Sequence, residues 1–286
     1  MGFMTAMKAG KALRLQKAGN KEEAIRLYEE AFAEGLNDPR YCMPYALMII
    51  RDGQFQKAKD FLVAHQKAPG MTQQQRIELL VYYATCCLRL GNLDKGISIL
   101  EQQFRKTETG LLYQTLGYLY VEKYDLDNKP DLTAAPQQEE PEQTPAEGAE
   151  ETEGEGNAEA ESQPEPALSP EEEWNAGMEK AEAFIRKSVE YDDEDSVCLD
   201  NLGEFLYRAK GDREGAKEWF DKAIAIKPGQ IDTLYFLSRY DLEKNDRKAA
   251  LEKLEKAAEG RFSPLNYTTP EKIRQEIESL KGALAE

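Results

Sequence analysis

One histidine, four cysteines and a few close-set carboxylates are the residues from which catalytic or metal chemistry would have to be built in this chain. His65 is the only candidate imidazole base or ligand. It closes a stripe with Ala58 and Leu62 at helical spacing, where a histidine packed between helices is expected. Cys42, Cys86, Cys87 and Cys198 form no C-x-x-C pair. Adjacent Cys86 and Cys87 would project about 100° apart on a helix. No histidine or further cysteine stands at zinc-ligand spacing, so four buried, reduced thiols and no metal are expected. The carboxylate sets Glu139–Glu140 and Glu171–Glu173 lie in polar chain, not in a dry cleft that could split their pKa values for acid–base work. There is no phosphate-binding Gly-rich loop and no strand pattern to carry one. The expectation is a protein without enzymatic activity and without a cofactor.

Charge and composition narrow the partner classes. The formal net charge is −17, but residues 130–173 hold 15 Asp and Glu and no Lys or Arg, leaving the remainder near neutral at −2. Nonspecific binding to nucleic acid or to anionic membranes needs clustered cations, so both are excluded as expectations. No segment approaches the ~18 consecutive apolar residues of a membrane helix. Met1–Leu15 is interrupted by Lys8, Lys11 and Arg14 and does not read as a secretory signal, so a cytoplasmic location is expected. A hydrophobic content of 41% supplies a core, although the mean hydropathy of −0.69 is low for a compact globule.

The elements that position these residues repeat. From Gly203 to Pro228 the pattern is a helix end, a Gly211-Asp212 turn, and a second helix with Ala216, Phe220 and Ala223 on one face. The same grammar follows Gly19-Asn20, with Ala24, Tyr28 and Ala31. It recurs 34 residues later at Gly53, with Ala58, Leu62 and His65. It follows Gly91-Asn92, with Gly96, Leu100 and Gln103, and Asn245-Asp246, with Ala250, Leu254 and Ala257. The last turn lies 34 residues after Gly211-Asp212. Such helix pairs cannot bury their apolar faces alone and must stack on like neighbours.

Two segments make the pattern specific. Tyr113-x2-Leu116-Gly117-x2-Tyr120 resembles the aromatic-x2-Leu-Gly-x2-Tyr signature of the tetratricopeptide repeat family, and Leu199-x2-Leu202-Gly203-x2-Leu206 is similar to it with aliphatic ends. His65, Gly96, Gln103 and Ser188 depart from the family's usual alanine. The resemblance implies an all-α, right-handed superhelical solenoid of about six helix-turn-helix repeats plus a C-terminal capping helix.

The expected organisation is N-terminal repeats over 1–124, an acidic insert over 125–168 inside the fourth unit, repeats over 169–264, and a capping helix over 265–286. Pro130–Glu173 contains seven of the thirteen prolines and no aromatics, a composition expected to be disordered. Three uses stay open for it: a solubilising linker, a tether for a basic partner, or a segment folding back on groove arginines. Ser169-Pro170-Glu171-Glu172 reads as a capping box that restarts the helix. Ile273, Ile277, Leu280 and Leu284 mark the stripe of the final helix.

The resemblance implies binding on a concave face lined by the first helices of successive pairs. Its register puts Arg51, Tyr82, Arg89, Tyr118, Asn201, Arg208, Tyr235, Phe236 and Arg239 near that groove. Arginines and aromatics are the types that dominate hot spots. The family's carboxylate clamp for chaperone tails is not expected, because Met43, Pro44, Val81 and Tyr82 occupy the relevant stretch and Asn201 is an isolated match. The expected function is a protein-interaction scaffold or adaptor for a peptide or protein partner. A structural assembly subunit and an accessory subunit of an enzyme remain alternatives, and the oligomeric state stays open.

Overall fold

A computed structural model describes residues 3–129 and 168–285. The expected disorder of the acidic insert lies outside the described residues, apart from its two ends. Among the described residues the chain forms thirteen α-helices: α1 (Phe3–Lys17), α2 (Lys21–Ala33), α3 (Pro39–Arg51), α4 (Phe55–His65), α5 (Gln73–Arg89), α6 (Leu93–Lys106), α7 (Gly110–Tyr124), α8 (Pro170–Tyr191), α9 (Ser196–Glu204), α10 (Arg213–Ile226), α11 (Ile231–Glu243), α12 (Arg247–Ala258) and α13 (Pro270–Ala285). Each of α1–α12 packs on the next, α7 on α8 included, and α13 packs on α12. The result is an all-helical solenoid of six helix pairs with a closing helix.

Local chemistry sets the boundaries. Thr72 with Gln75, and Ser169 with Glu172, form reciprocal capping boxes at the starts of α5 and α8. Asp195, Asp212 and Asp246 cap α9, α10 and α12 by accepting backbone N–H bonds. The turn between the helices of a pair needs a left-handed residue. Gly211 supplies it with φ 67°, and Asn245 takes the same place with φ 59°, as asparagine can.

The pairs cross closely because their facing residues are small. Ala24, Ala31, Ala58, Ala181, Ala216, Ala223, Ala250 and Ala257 on the second helices are fully buried. On the first helices Ala12, Ala46, Ala84 and Ser238 are buried seven residues before the turn residue. In α9 the equivalent Gly203 lies eight residues before Gly211. The extra residue is absorbed by a π-helical turn over Phe205–Ala209 that continues α9. A Cβ on Gly203 would come within 2.8 Å of the Phe220 ring, so nothing larger than hydrogen fits that crossing.

The side chains with possible chemistry settle into this packing. His65 is half-buried between Phe32 and Phe61, 4.1 Å from the Phe61 ring centroid. Its Nδ1 lies 2.9 Å from the Phe61 carbonyl oxygen, which can only accept, so Nδ1 carries the proton. All four cysteines are buried free thiols, and burial pushes those of Cys42, Cys86 and Cys198 up to about 12.

Candidate functional site

The first helices α3, α5, α7 and α9 touch one another in succession and form the inner layer of the solenoid. After α12 the chain does not run outward to α13 directly. Residues 261–268 cross this inner layer as a strap. Arg89 of α5 donates Nε to Pro264 O at 2.7 Å and Nη2 to Asn266 O at 3.0 Å, a contact between residues 175 and 177 apart in sequence. Asp232 holds the other end: its carboxylate accepts Asn266 Nδ2 at 2.6 Å and the backbone N–H groups of Tyr267 and Thr268 at 3.1 Å.

Between strap and helices lies a cavity of about 530 Å³. Leu47, Ile50, Val81, Leu111 and Leu265 give it apolar walls, with Tyr82 and Tyr118 beside them. Arg51 and Arg261 stand at one side, near enough that their mutual repulsion, after desolvation, depresses the Arg51 pKa. Asp200, Glu204, Gln230 and Asp232 form the polar floor. The cavity thus has an apolar wall, a cationic edge and an acidic base.

The acidic base is buried. Asp200 and Glu204 sit one turn apart on α9, and Asp232 lies on the first turn of α11. Asp200 accepts Thr233 Oγ1 at 2.5 Å and Gln230 Nε2 at 3.3 Å. Burial, reinforced by the nearby charge of Asp232, pushes the Asp200 carboxyl up to about 7. Burial also raises Glu204 and Asp232, against the opposing pull of Arg208 and, at Asp232, of the strap's hydrogen bonds. Arg208, on the π turn, answers this charge with Nη1 to Glu204, Nη2 to Glu122 and Nε to Asp125, each at 2.7 Å. Burial works against the guanidinium charge, but Glu204, Glu122 and Asp125 outweigh it and hold the group protonated. Tyr267 of the strap covers Arg208, with the guanidinium carbon 4.0 Å from the ring centroid.

The structure brings Arg51, Tyr82, Tyr118 and Asn201 together on the cavity wall, with Arg89 of α5 bonded to the strap beside it. Asn201 is buried and donates Nδ2 to Gln114 O at 2.8 Å. Arg208 lies behind the floor, engaged by three carboxylates. Tyr235, Phe236 and Arg239 lie elsewhere. Phe236 is packed between Phe220 and Tyr267, Tyr235 is buried against Tyr267, and Arg239 pairs with Glu276 of α13. The sequence reading does not single out Asp200, Glu204, Gln230, Asp232 or the strap. Their one signal is the i, i+4, i+8 placement of Asp200, Glu204 and Arg208 in a first helix whose flanks are apolar.

Paired helices with small residues at the crossings, a 34-residue period and glycine or asparagine turns decide the architecture. The chain has the tetratricopeptide-repeat fold. No protein-family model and no curated protein matches the sequence. Solved structures do share its shape. The human IFIT1 dimer with m7Gppp-AAAA is 15% identical with a TM-score of 0.58, covering 97% of this chain and 55% of that one. MamA from Desulfovibrio magneticus RS-1 is 16% identical with a TM-score of 0.50, covering 80% of this chain and 98% of that one. TTC0263, a TPR protein of Thermus thermophilus, is also matched at 14% identity over 97% and 98% of the two chains, but its TM-score of 0.47 is too low to bear on the fold. At such identities the likeness is one of fold alone. Among the described residues no helix of the chain is long and apolar enough to cross a membrane.

Proposed function

We propose that the chain is a non-catalytic interaction scaffold that takes a segment of a protein partner in the cleft between its inner helices and the 261–268 strap. The observation that carries this reading is the strap itself. It is an irregular stretch with a turn at Pro264–Leu265, seated on the inner layer through its backbone: Arg89 takes two of its carbonyls and Asp232 two of its N–H groups. An inner face that receives main-chain groups in this way is suited to a peptide segment whose backbone groups are free to bond. The adjoining cavity leaves Arg51 exposed and Tyr82 half-buried for further side-chain contacts. Arg89 and the wall residues Tyr118 and Asn201 are the proposed supports, with Arg208 holding the floor. Tyr235, Phe236 and Arg239 hold the strap and α13 in register rather than meeting the partner.

The acidic floor favours a protein partner over a nucleic acid, because phosphates would face Asp200, Glu204 and Asp232. A photo-cross-linking residue placed at Tyr82 should capture partner polypeptides in native cells that are absent when the same residue replaces exposed Lys222 on α10. Identical capture from both positions would refute the cleft as the binding face.

A further inference from the structure

The floor of the cleft holds more negative charge than its protein partners balance. Five carboxylates, those of Glu122, Asp125, Asp200, Glu204 and Asp232, are gathered around Arg208, and four of them are buried. Lys227, which lines the same cavity, adds a weaker attraction at Asp200. Uncompensated charge in such a setting is costly and is relieved either by a proton or by a counter-ion. Arg208 is committed to the Glu122, Asp125 and Glu204 side, leaving Asp200 and Asp232 facing the cavity with only neutral donors.

The oxygen geometry suits a cation. One carboxylate oxygen from each of Asp200, Glu204 and Asp232 can be chosen so that all lie within 4.8 Å of one another. Oxygens on opposite sides of a calcium ion stand about 5 Å apart, whereas magnesium's shorter bonds and octahedral demand need about 4 Å. The carboxylates are already oriented by second-layer donors: Thr233 and Gln230 fix Asp200, and Asn266 with two backbone N–H groups fixes Asp232.

A second observation is independent of the acids. Two further oxygens on the same cavity, the Tyr118 hydroxyl and Gln230 Oε1, are buried without a hydrogen-bond partner, in residues only 5% and 8% exposed. Gln230 is anchored by its own Nε2 against Asp200, which places Oε1 beside the cluster. Tyr118 lies within electrostatic reach of both Glu204 and Asp232. A buried acceptor left unsatisfied is unusual and here faces an acidic cavity. Every available donor is oxygen, which favours a hard cation over zinc or copper.

We infer that Asp200, Glu204 and Asp232, with Tyr118 and Gln230 as the adjoining oxygens, form a binding site for one calcium-sized divalent cation. Because Asp232 also grips the strap, an ion there would join α9, α11 and the strap over the cleft. This inference does not depend on a peptide occupying the cleft.

The test uses the full chain, stripped with a chelator and titrated with Tb³⁺ while tyrosine is excited. Tyr118 should sensitise a saturable emission that Ca²⁺ displaces at far lower concentration than Mg²⁺. The acidic run at 130–173 also attracts lanthanides and is followed directly by Trp174, so only emission that the floor substitutions remove is assigned to the site. Asp200→Asn and Asp232→Asn should each weaken Tb³⁺ binding by about tenfold or more, while exposed Asp193→Asn leaves it unchanged. Circular dichroism of each variant checks folding. Should either floor variant fail to fold, Ca²⁺ protection of the wild-type chain against thermal unfolding, absent with equal Mg²⁺, supplies the decision. No saturable sensitised emission from the wild type, emission undiminished in folded floor variants, or equal protection by both ions overturns the site.

Discussion

The two halves of the solenoid are built from one repeat grammar and differ in what they bury. Across α1–α6 the buried polar side chains among the described residues are Thr5 and Thr85, and the ion pairs, such as Lys21–Asp52 and Arg26–Glu23, lie at the surface. From α7 onward Asp125, Asp200, Glu204, Arg208 and Asp232 are all buried. The fold does not require this charge, since the first half achieves the same helix crossings with alanine, leucine and aromatics. Buried ions are a doubtful source of stability in themselves, because desolvation offsets much of their attraction. Their concentration beside the cavity therefore points to a task at the inner face rather than to folding.

The sharpest way to break this contrast is Arg208→Met. It leaves Glu122, Asp125 and Glu204 facing one another without their shared cation. Removing one member of a buried ion cluster costs about 3–5 kcal/mol. Urea unfolding should register that loss. Hydrogen exchange should place it in α7, α9 and α11, with α3 and α4 unchanged. Arg26→Met, removing a cation whose pairs with Glu23 and Glu30 are solvent-exposed, should leave the midpoint unaltered. Equal effects from the two substitutions would erase the distinction between the halves.

A smaller contrast separates two glycines at helix crossings. Gly203→Ala drives its methyl group into Phe220, which cannot retreat because it is fully buried and stacked on Phe236. Overpacking outweighs the gain in helix propensity, for a net loss of about 1–2 kcal/mol. Gly96→Ala in the first half meets Ala84 O at 3.2 Å and Cys87 Cβ at 3.3 Å, contacts that a few tenths of an ångström relieve. There the helix-propensity gain, about 1 kcal/mol, should offset the crowding. Thermal melts of the two variants should separate clearly. A Gly203→Ala variant as stable as Gly96→Ala would mean the α9–α10 crossing is looser than its geometry.

These contrasts also mark what the sequence made legible. Alanines at helical spacing and a 34-residue period are local signals, and all of Ala24, Ala31, Ala216 and Ala223 are buried where that register puts them. The π turn was visible only as a count, eight residues from Gly203 to Gly211, whose meaning emerges when the other units are aligned in space. The cleft was less legible. Asp200 and Asp232 are 32 residues apart in sequence and the strap reaches Arg89 from 175 residues away, so nothing local ties them. Arg208 and Phe236 fit a groove by residue type, yet three carboxylates and an aromatic stack occupy them. Periodicity identifies the inward face of a helix but not what the rest of the chain lays against it.

The smallest expected effect tests where the halves meet. The strap is fixed to the first half by Arg89 and to the second by Asp232, through different peptide groups. Arg89 is exposed, so Arg89→Ala should lower stability by less than about 1 kcal/mol. Its consequence should instead be local. Pro264 and Asn266 lose the donors on their carbonyls, and the Leu265 and Asn266 amides, held only by short-range bonds to Ser263, should exchange several-fold faster. The Tyr267 and Thr268 amides, which donate to Asp232, should keep their protection. Residue-resolved hydrogen exchange reads this difference directly. A uniform acceleration from 265 to 268 would mean the strap opens as one piece and Asp232 is no independent anchor. An unchanged pattern would mean that Leu265, packed against the core around Leu112 and Leu116, holds the strap to the inner helices without help from Arg89.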